Sequence, residues 1–259
     1  MTRRRVALSV AIMVSGLASG LALAMVSPAI AVAEPLGVVE LFTSQGCSSC
    51  PPADKLAGEL AHDPSLVVLS LPIDYWDYLG WKDTLALPGH ANRQRAYSKV
   101  RGDREVYTPQ VVVNGVAHTL GSDKSAIENA IAQTRRQDGT LSLPLSMSIT
   151  SDSIAITIPA AKGGTQSGAA QKAEVWLCPV TRDVTVAIDR GENTGHTVTY
   201  HNVVRRWLKL GDWNGAARSF TVPVHDVTSV GGDAVAVVVQ SGTKEAPGNM
   251  LGAALTALK

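Results

Sequence analysis

Up to about residue 139, short apolar runs alternate with stretches that permit helix. Residues 36–42 and 66–73 are apolar runs of strand length. Residues 55–61 read as helix, with Leu56 and Leu60 one turn apart, and 89–100 is a polar, helix-permitting stretch. Two further runs, 111–113 and 116–120, flank Asn114-Gly115, the dipeptide of a tight hairpin. Residues 122–135 predict a helix capped by Ser122 or Asp123, with Ile127 and Ile131 turned inward. Beyond Gly139 the period becomes two. Leu141, Leu143, Leu145, Met147 and Ile149 alternate with polar residues, as do Ile154, Ile156 and Ile158. Strand-like runs at 174–180, 184–188, 197–203, 219–224 and 234–240 follow, while the Gly/Ala/Ser/Gln-rich segment 162–171 predicts a flexible loop.

Strand, helix, strand, helix, hairpin and closing helix is the order of a thioredoxin-like domain. The expected fold class is therefore an α/β thioredoxin-like domain over 34–138, followed by an all-β antiparallel sandwich domain over 139–259. Residues 1–33 predict a signal peptide. Arg3, Arg4 and Arg5 precede an uncharged apolar stretch, and Ala31-Val32-Ala33 matches a small-x-small cleavage site. Cleavage there removes three of the 23 basic residues and none of the 22 acidic ones, leaving a net charge of −2. The expected location is periplasmic or secreted, with no membrane attachment after cleavage. No basic stripe points to nucleic acid.

Only three cysteines occur, which is too few for a disulfide-stapled scaffold. Cys47 and Cys50 form a C-x-x-C between a predicted strand and helix, the context in which that motif carries redox chemistry. A thiolate must attack a disulfide and a second thiol must release the mixed disulfide. The unpaired N–H groups of a helix start favour the thiolate, whose pKa in such places falls to roughly 3.5–7.5 from about 8.5. Pro51 and Pro52 fit only a first helical turn. They put the N-cap at Ser48 or Ser49, Cys47 outside the helix as the more exposed attacking thiol, and Cys50 in the first turn as the resolving thiol. Glu40, inside the first strand, is a second candidate: a buried acid could accept the Cys50 proton, or it could be held in a salt bridge. Cys178, after Trp176, reads as a buried free thiol.

The segment from Phe42 to Cys50 resembles the strand-to-cysteine segment of glutaredoxins. Thr108-Pro109-Gln110-Val111-Val112-Val113-Asn114-Gly115, with Leu120-Gly121-Ser122-Asp123, resembles their cis-proline strand and glutathione-binding turn. That likeness implies a cis Pro109 facing the cysteines, with Thr108 and Gln110 beside an extended substrate. Here Ser122 and Asp123 read as helix caps, since Asp123 would repel an anion. More widely, the chain resembles an uncharacterised family of exported thioredoxin-like proteins, domain of unknown function 1223. The segments that carry this are 39–54, Asp74-Tyr75-Trp76-Asp77-Tyr78-Leu79-Gly80-Trp81-Lys82-Asp83, Tyr107-Thr108-Pro109-Gln110 and Tyr200-His201-Asn202-Val203-Val204. The family carries a histidine where this chain has Pro72.

Four of the twelve aromatic residues fall between Tyr75 and Trp81, at the carboxyl end of a strand where α/β sheets place ligands. Asp74 and Trp76 are thus candidates for substrate binding. Together these readings predict a thiol–disulfide oxidoreductase. It would need no cofactor or metal, and its partners would be protein thiols or disulfides and an unknown redox partner. The rival readings are a thioredoxin-like metallochaperone holding copper or another soft metal on Cys47 and Cys50, and a non-catalytic interaction protein.

Overall fold

A computed structural model describes residues 34–161 and 172–258. The signal-peptide reading and the flexible loop at 162–171 lie outside the described residues. The first half contains β1 (Gly37–Thr43), α1 (Pro51–Ala61), β2 (Leu66–Pro72), α2 (Pro88–Arg101), β3 (Gln110–Val113), β4 (Ala117–Leu120) and α3 (Lys124–Thr134). β1 is buried on both faces. It pairs in parallel with β2, from Gly37↔Leu66 to Thr43↔Pro72, and antiparallel with β3, from Val39↔Val113 to Phe42↔Gln110. A strand covered on both faces loses the polar/apolar alternation, hence the continuous Val-Val-Glu-Leu-Phe run.

The two faces of β1 meet different partners. Val39 and Leu41 pack with Ala53, Leu56, Ala57 and Leu60 of α1 and Ile127 of α3. Val38 and Phe42 pack with Ala91 and Tyr97 of α2. Asn114 ties the layers together. Its Oδ1 accepts from Val38 N (2.7 Å), and its Nδ2 donates to Thr134 Oγ1 of α3 (2.8 Å).

The second half contains β5 (Ser146–Ile149), β6 (Ser153–Ile158), β7 (Ala173–Ala187), β8 (Thr197–Val204), β9 (Leu208–Trp213), β10 (Arg218–Pro223), α4 (His225–Thr228), β11 (Ala234–Thr243) and β12 (Ala246–Ala257). Here the structure departs from a self-contained sandwich. One large mixed sheet runs β12-β11-β7-β8-β2-β1-β3-β4, with β9 also on β7, and a three-stranded antiparallel sheet β10-β6-β5 stands apart from it. The halves join where β8 meets β2 in parallel at Ser70↔Val203. α1 presses on β8 at Gly58, where a Cβ would come within 2.5 Å of the His201 ring, so a larger residue there would have to displace that ring. The short sheet covers the face of β7, β11 and β12 that carries Val175, Leu177, Val235, Val237 and Leu251. The other face joins the α2 cluster through Cys178, Val180, Val204, Ala236 and Val238.

Candidate functional site

β1 ends at Thr43, and residues 44–49 carry the chain to α1. Cys47 and Cys50 are joined in a disulfide across this link, Cα atoms 5.4 Å apart. The helix N-cap is Cys50, one or two residues later than the sequence predicts, with Pro51 and Pro52 leading the helix. The reason is local. The Cys50 carbonyl already accepts from Ala53 N (2.8 Å) and Asp54 N (3.1 Å), and the Ser49 hydroxyl turns instead to Cys47 Sγ (3.4 Å) and the Thr108 carbonyl (3.5 Å). Cys47 is 2% exposed and Cys50 0%, whereas Ser48 and Ser49 are exposed, so the oxidised pair is covered.

The Thr108–Pro109 peptide bond is cis and faces this loop through the Ser49 contact. Trp76 joins them: its indole N–H donates to Thr108 Oγ1 (2.7 Å), and its Cβ lies against Gly46, where an added methyl would stand 3.0 Å away. Tyr78 stacks on Trp76 with centroids 6.1 Å apart and is 76% exposed. Cys47, Cys50, Thr108, Pro109 and Trp76 are therefore brought together. Asp74 heads the same aromatic loop, half-buried, and its carboxylate makes no hydrogen bond among the described residues. Gln110 lies behind, fully buried, accepting from Gln94 Nε2 (2.9 Å).

Residues distant in sequence hold the loop. Asn193 Nδ2 donates to the carbonyls of Gln45 (2.9 Å) and Cys47 (2.8 Å), and Glu192 Oε2 accepts from Ser48 N (3.3 Å). Gln45 N donates to Asp83 Oδ2 (2.8 Å), and its side-chain oxygen accepts from Trp81 Nε1 (2.7 Å). Glu192 and Asn193 escape sequence reasoning, because nothing local marks a loop residue that touches a site 146 positions away.

The family described as "Protein of unknown function (DUF1223)" matches residues 38–240. The chain belongs to the DUF1223 family. A crystal structure of an Agrobacterium tumefaciens protein, a structural genomics target, is 32% identical with a TM-score of 0.76, spanning 88% of this chain and 96% of that one. HBP35 of Porphyromonas gingivalis has a TM-score of 0.58 at 14% identity, over 86% of this chain and 74% of its own, a likeness of fold alone. No curated protein matches.

In this DUF1223 chain Glu40 and Asp54, two of the three buried acids of the first half, part company. Glu40 faces α2, away from α1. It is fully buried, takes Arg93 Nε at 2.7 Å and accepts the Tyr97 hydroxyl at 2.5 Å. The structure places it in an ion pair, not beside the cysteines. Asp54 lies instead on α1, one turn after Cys50, and is 1% exposed. Its Oδ1 accepts from Thr43 Oγ1 (2.7 Å), while its Oδ2 has no partner. Burial, against the Thr43 bond and with help from the Asp83 charge, pushes its carboxyl up to about 8. Asp83 is also raised, first by burial. Asp54 was legible in principle: Cys50, Ala53, Asp54 and Ala57 follow the i, i+3, i+4, i+7 rule of a buried helical stripe. Asp123 accepts from Ala126 N (2.9 Å) as the N-cap of α3. Cys178 is free and buried, which pushes its thiol up. Among the described residues, no three His, Cys, Asp or Glu cluster as metal ligands would.

Proposed function

We propose that this DUF1223 protein is an exported thiol–disulfide oxidoreductase, thioredoxin-like in its first half, acting on protein disulfides in the periplasm or outside the cell. The observation that carries the reading is the Cys47–Cys50 disulfide at the start of α1, opposite the cis Thr108–Pro109 bond. In the reduced form, the Cys47 thiolate attacks a substrate disulfide, forms a mixed disulfide and expels one substrate thiolate, which takes up a proton. Asp54 takes the Cys50 proton. The Cys50 thiolate then attacks Cys47 Sγ, re-forming the Cys47–Cys50 bond and expelling the second substrate sulfur, which recovers the proton from Asp54. Run in reverse, the same steps oxidise a substrate dithiol. A carboxyl near 8 suits both directions at neutral pH, because it can take and return a proton with little bias.

Substrate would lie along the exposed Ser48–Ser49 edge, between the Thr108 carbonyl and the Trp76–Tyr78 stack. Amphipathic aromatics there suit a peptide chain, not a small thiol. The test is equilibration with glutathione buffers followed by thiol trapping. The expected result is a two-electron titration with a midpoint between about −120 and −270 mV. A pair that stays oxidised through the whole buffer range is a structural bond, and the reading fails.

A further inference from the structure

A cavity of about 290 Å³ opens on the α2 side of the sheet. Its walls come from the first turn of α2, from Trp176 on β7, from Arg205, Arg206 and Trp207 between β8 and β9, and from Lys244 between β11 and β12. Arg93 of α2 completes it. Four cationic side chains thus line a space this small, and no carboxylate is among the lining residues. Like charges gathered without a counter-charge repel one another, though Arg206 and Lys244 reach solvent at the rim. Arg93 is neutralised from behind. Its Nε goes to Glu40 and its Nη2 to Tyr97 (2.6 Å) and Gln240 (2.8 Å), while its Nη1 makes none of these bonds. Arg205, Arg206 and Lys244 have no ion-pair partner among the described residues.

The apolar part of the cavity is equally specific. Trp176 and Trp207 meet edge to face, ring centroids 6.2 Å apart and planes at 78°. The Arg93 guanidinium lies 4.1 Å from the Trp207 centroid, a stacked cation–π contact. The Trp207 indole N–H is shut off from solvent with no acceptor, although a buried indole N–H ordinarily finds one. In the first turn of α2, His90 is fully buried, with Nδ1 at 2.8 Å from the Pro72 carbonyl and Nε2 unpartnered. Burial above all pushes its imidazole down to about 4, against the Pro72 bond and with smaller help from Arg93 and Arg205. The first turn of α2 adds in the same sense, since Leu87 caps it with no side-chain acceptor.

We infer that this cavity is a binding site for a small aromatic oxyanion, one or two fused rings carrying a carboxylate. The ring slots against Trp176 and Trp207, and the carboxylate takes the forked donors of Arg205 and Arg206, with Lys244 at the mouth. The volume is at the small end of ligand cavities, which sets the limit of two rings. The site stands on the opposite side of the sheet from α1, so it is separate from the disulfide chemistry and does not depend on it.

Calorimetry on the oxidised protein at low salt tests this with 2-naphthoate, the uncharged 2-naphthalenemethanol and inorganic phosphate. The expected result is that naphthoate binds at least roughly tenfold tighter than either of the others, since one needs the cations and the other the rings. Arg205→Gln with Arg206→Gln should weaken naphthoate by about tenfold or more at an unchanged melting temperature. If that double variant folds poorly, Lys244→Gln, at the exposed mouth, should still weaken binding by roughly threefold. The inference is overturned by equal binding of the neutral alcohol or of phosphate, by charge variants that bind as tightly as the parent, or by no heat with naphthoate up to about 10 mM.

Discussion

Asp54→Asn should make the protein more stable at neutral pH and less stable in acid. In the unfolded chain this carboxyl titrates near its ordinary 3.8, and in the folded protein near about 8. Between those values the folded state holds a proton that the unfolded state releases, so stability falls as pH rises, by about 1.36 kcal/mol per pH unit. From 3.8 to pH 7 the loss is about 4 kcal/mol. Asparagine has no such penalty. It keeps an oxygen for the Thr43 hydroxyl, but it sets an amide N–H₂ where Oδ2 now has no partner, at a pH-independent cost of about 1–2 kcal/mol. The variant should therefore gain about 2–3 kcal/mol over the parent at pH 7 and lose about 0.5–1.5 kcal/mol at pH 4. Guanidinium unfolding of both oxidised proteins at pH 4, 5.5 and 7, at matched ionic strength, measures the difference, and titrations common to both cancel. A stability difference that does not change with pH would refute the reasoning, because Asp54 would then be ionised at neutral pH despite its burial.

Glu40→Gln strands the Arg93 guanidinium in the core and should cost about 3–5 kcal/mol in guanidinium unfolding. The midpoint potential of the cysteine pair should stay within about 10 mV of the parent's, an equilibrium change of only about twofold, and a larger shift would return Glu40 to the redox site. Asn193→Ala removes both donors from the Gln45 and Cys47 carbonyls and should cost about 1–3 kcal/mol. It should also speed alkylation of reduced Cys47 at pH 7, and unchanged alkylation would mean that the clamp does not govern access.

The first half was largely legible because each element there carries its own period. β1 and β2 are apolar runs interrupted only by Glu40 and Ser70, and Asn114-Gly115, with φ of 50° and 78°, makes the turn its sequence announces. The cysteines were legible for the same reason, since two prolines tie the motif to a helix start. The second half misled in three places. The runs at 174–180 and 184–188 are one strand, β7. Arg182 and Asp183 interrupt the pattern but lie on a solvent-facing stretch, with Arg182 bonded to Asp233. β9 went unread, its Leu208-Lys209-Leu210-Gly211-Asp212-Trp213 too short and too charged to stand out. β12 is rich in Gly and Ala, which strand propensity penalises. Its Gly252 packs beneath Leu143, where a Cβ would lie 2.6 Å from the Leu143 carbonyl oxygen. Nor does any local pattern state that β8 docks on β2. That register depends on contacts between residues about half the chain apart.

The seam between β2 and β8 also orders events in time. The Ser70 hydroxyl donates to the His201 carbonyl across a separation of 131 residues, whereas β1 and β2 close a loop only from Gly37 to Leu66. The longer closure costs about 1.3 kcal/mol more in chain entropy. That is little for equilibrium stability, but it favours the shorter closure first. β1, α1 and β2 can meet while the rest of the chain is still searching. The loop that brings Asn193 to the Cys47 carbonyl arrives only once β8 has docked. If closure follows that order, the thiols sit on a formed helix with one wall missing until β8 docks, and alkylation pulsed during refolding should then label Cys47 faster than it labels the native reduced protein.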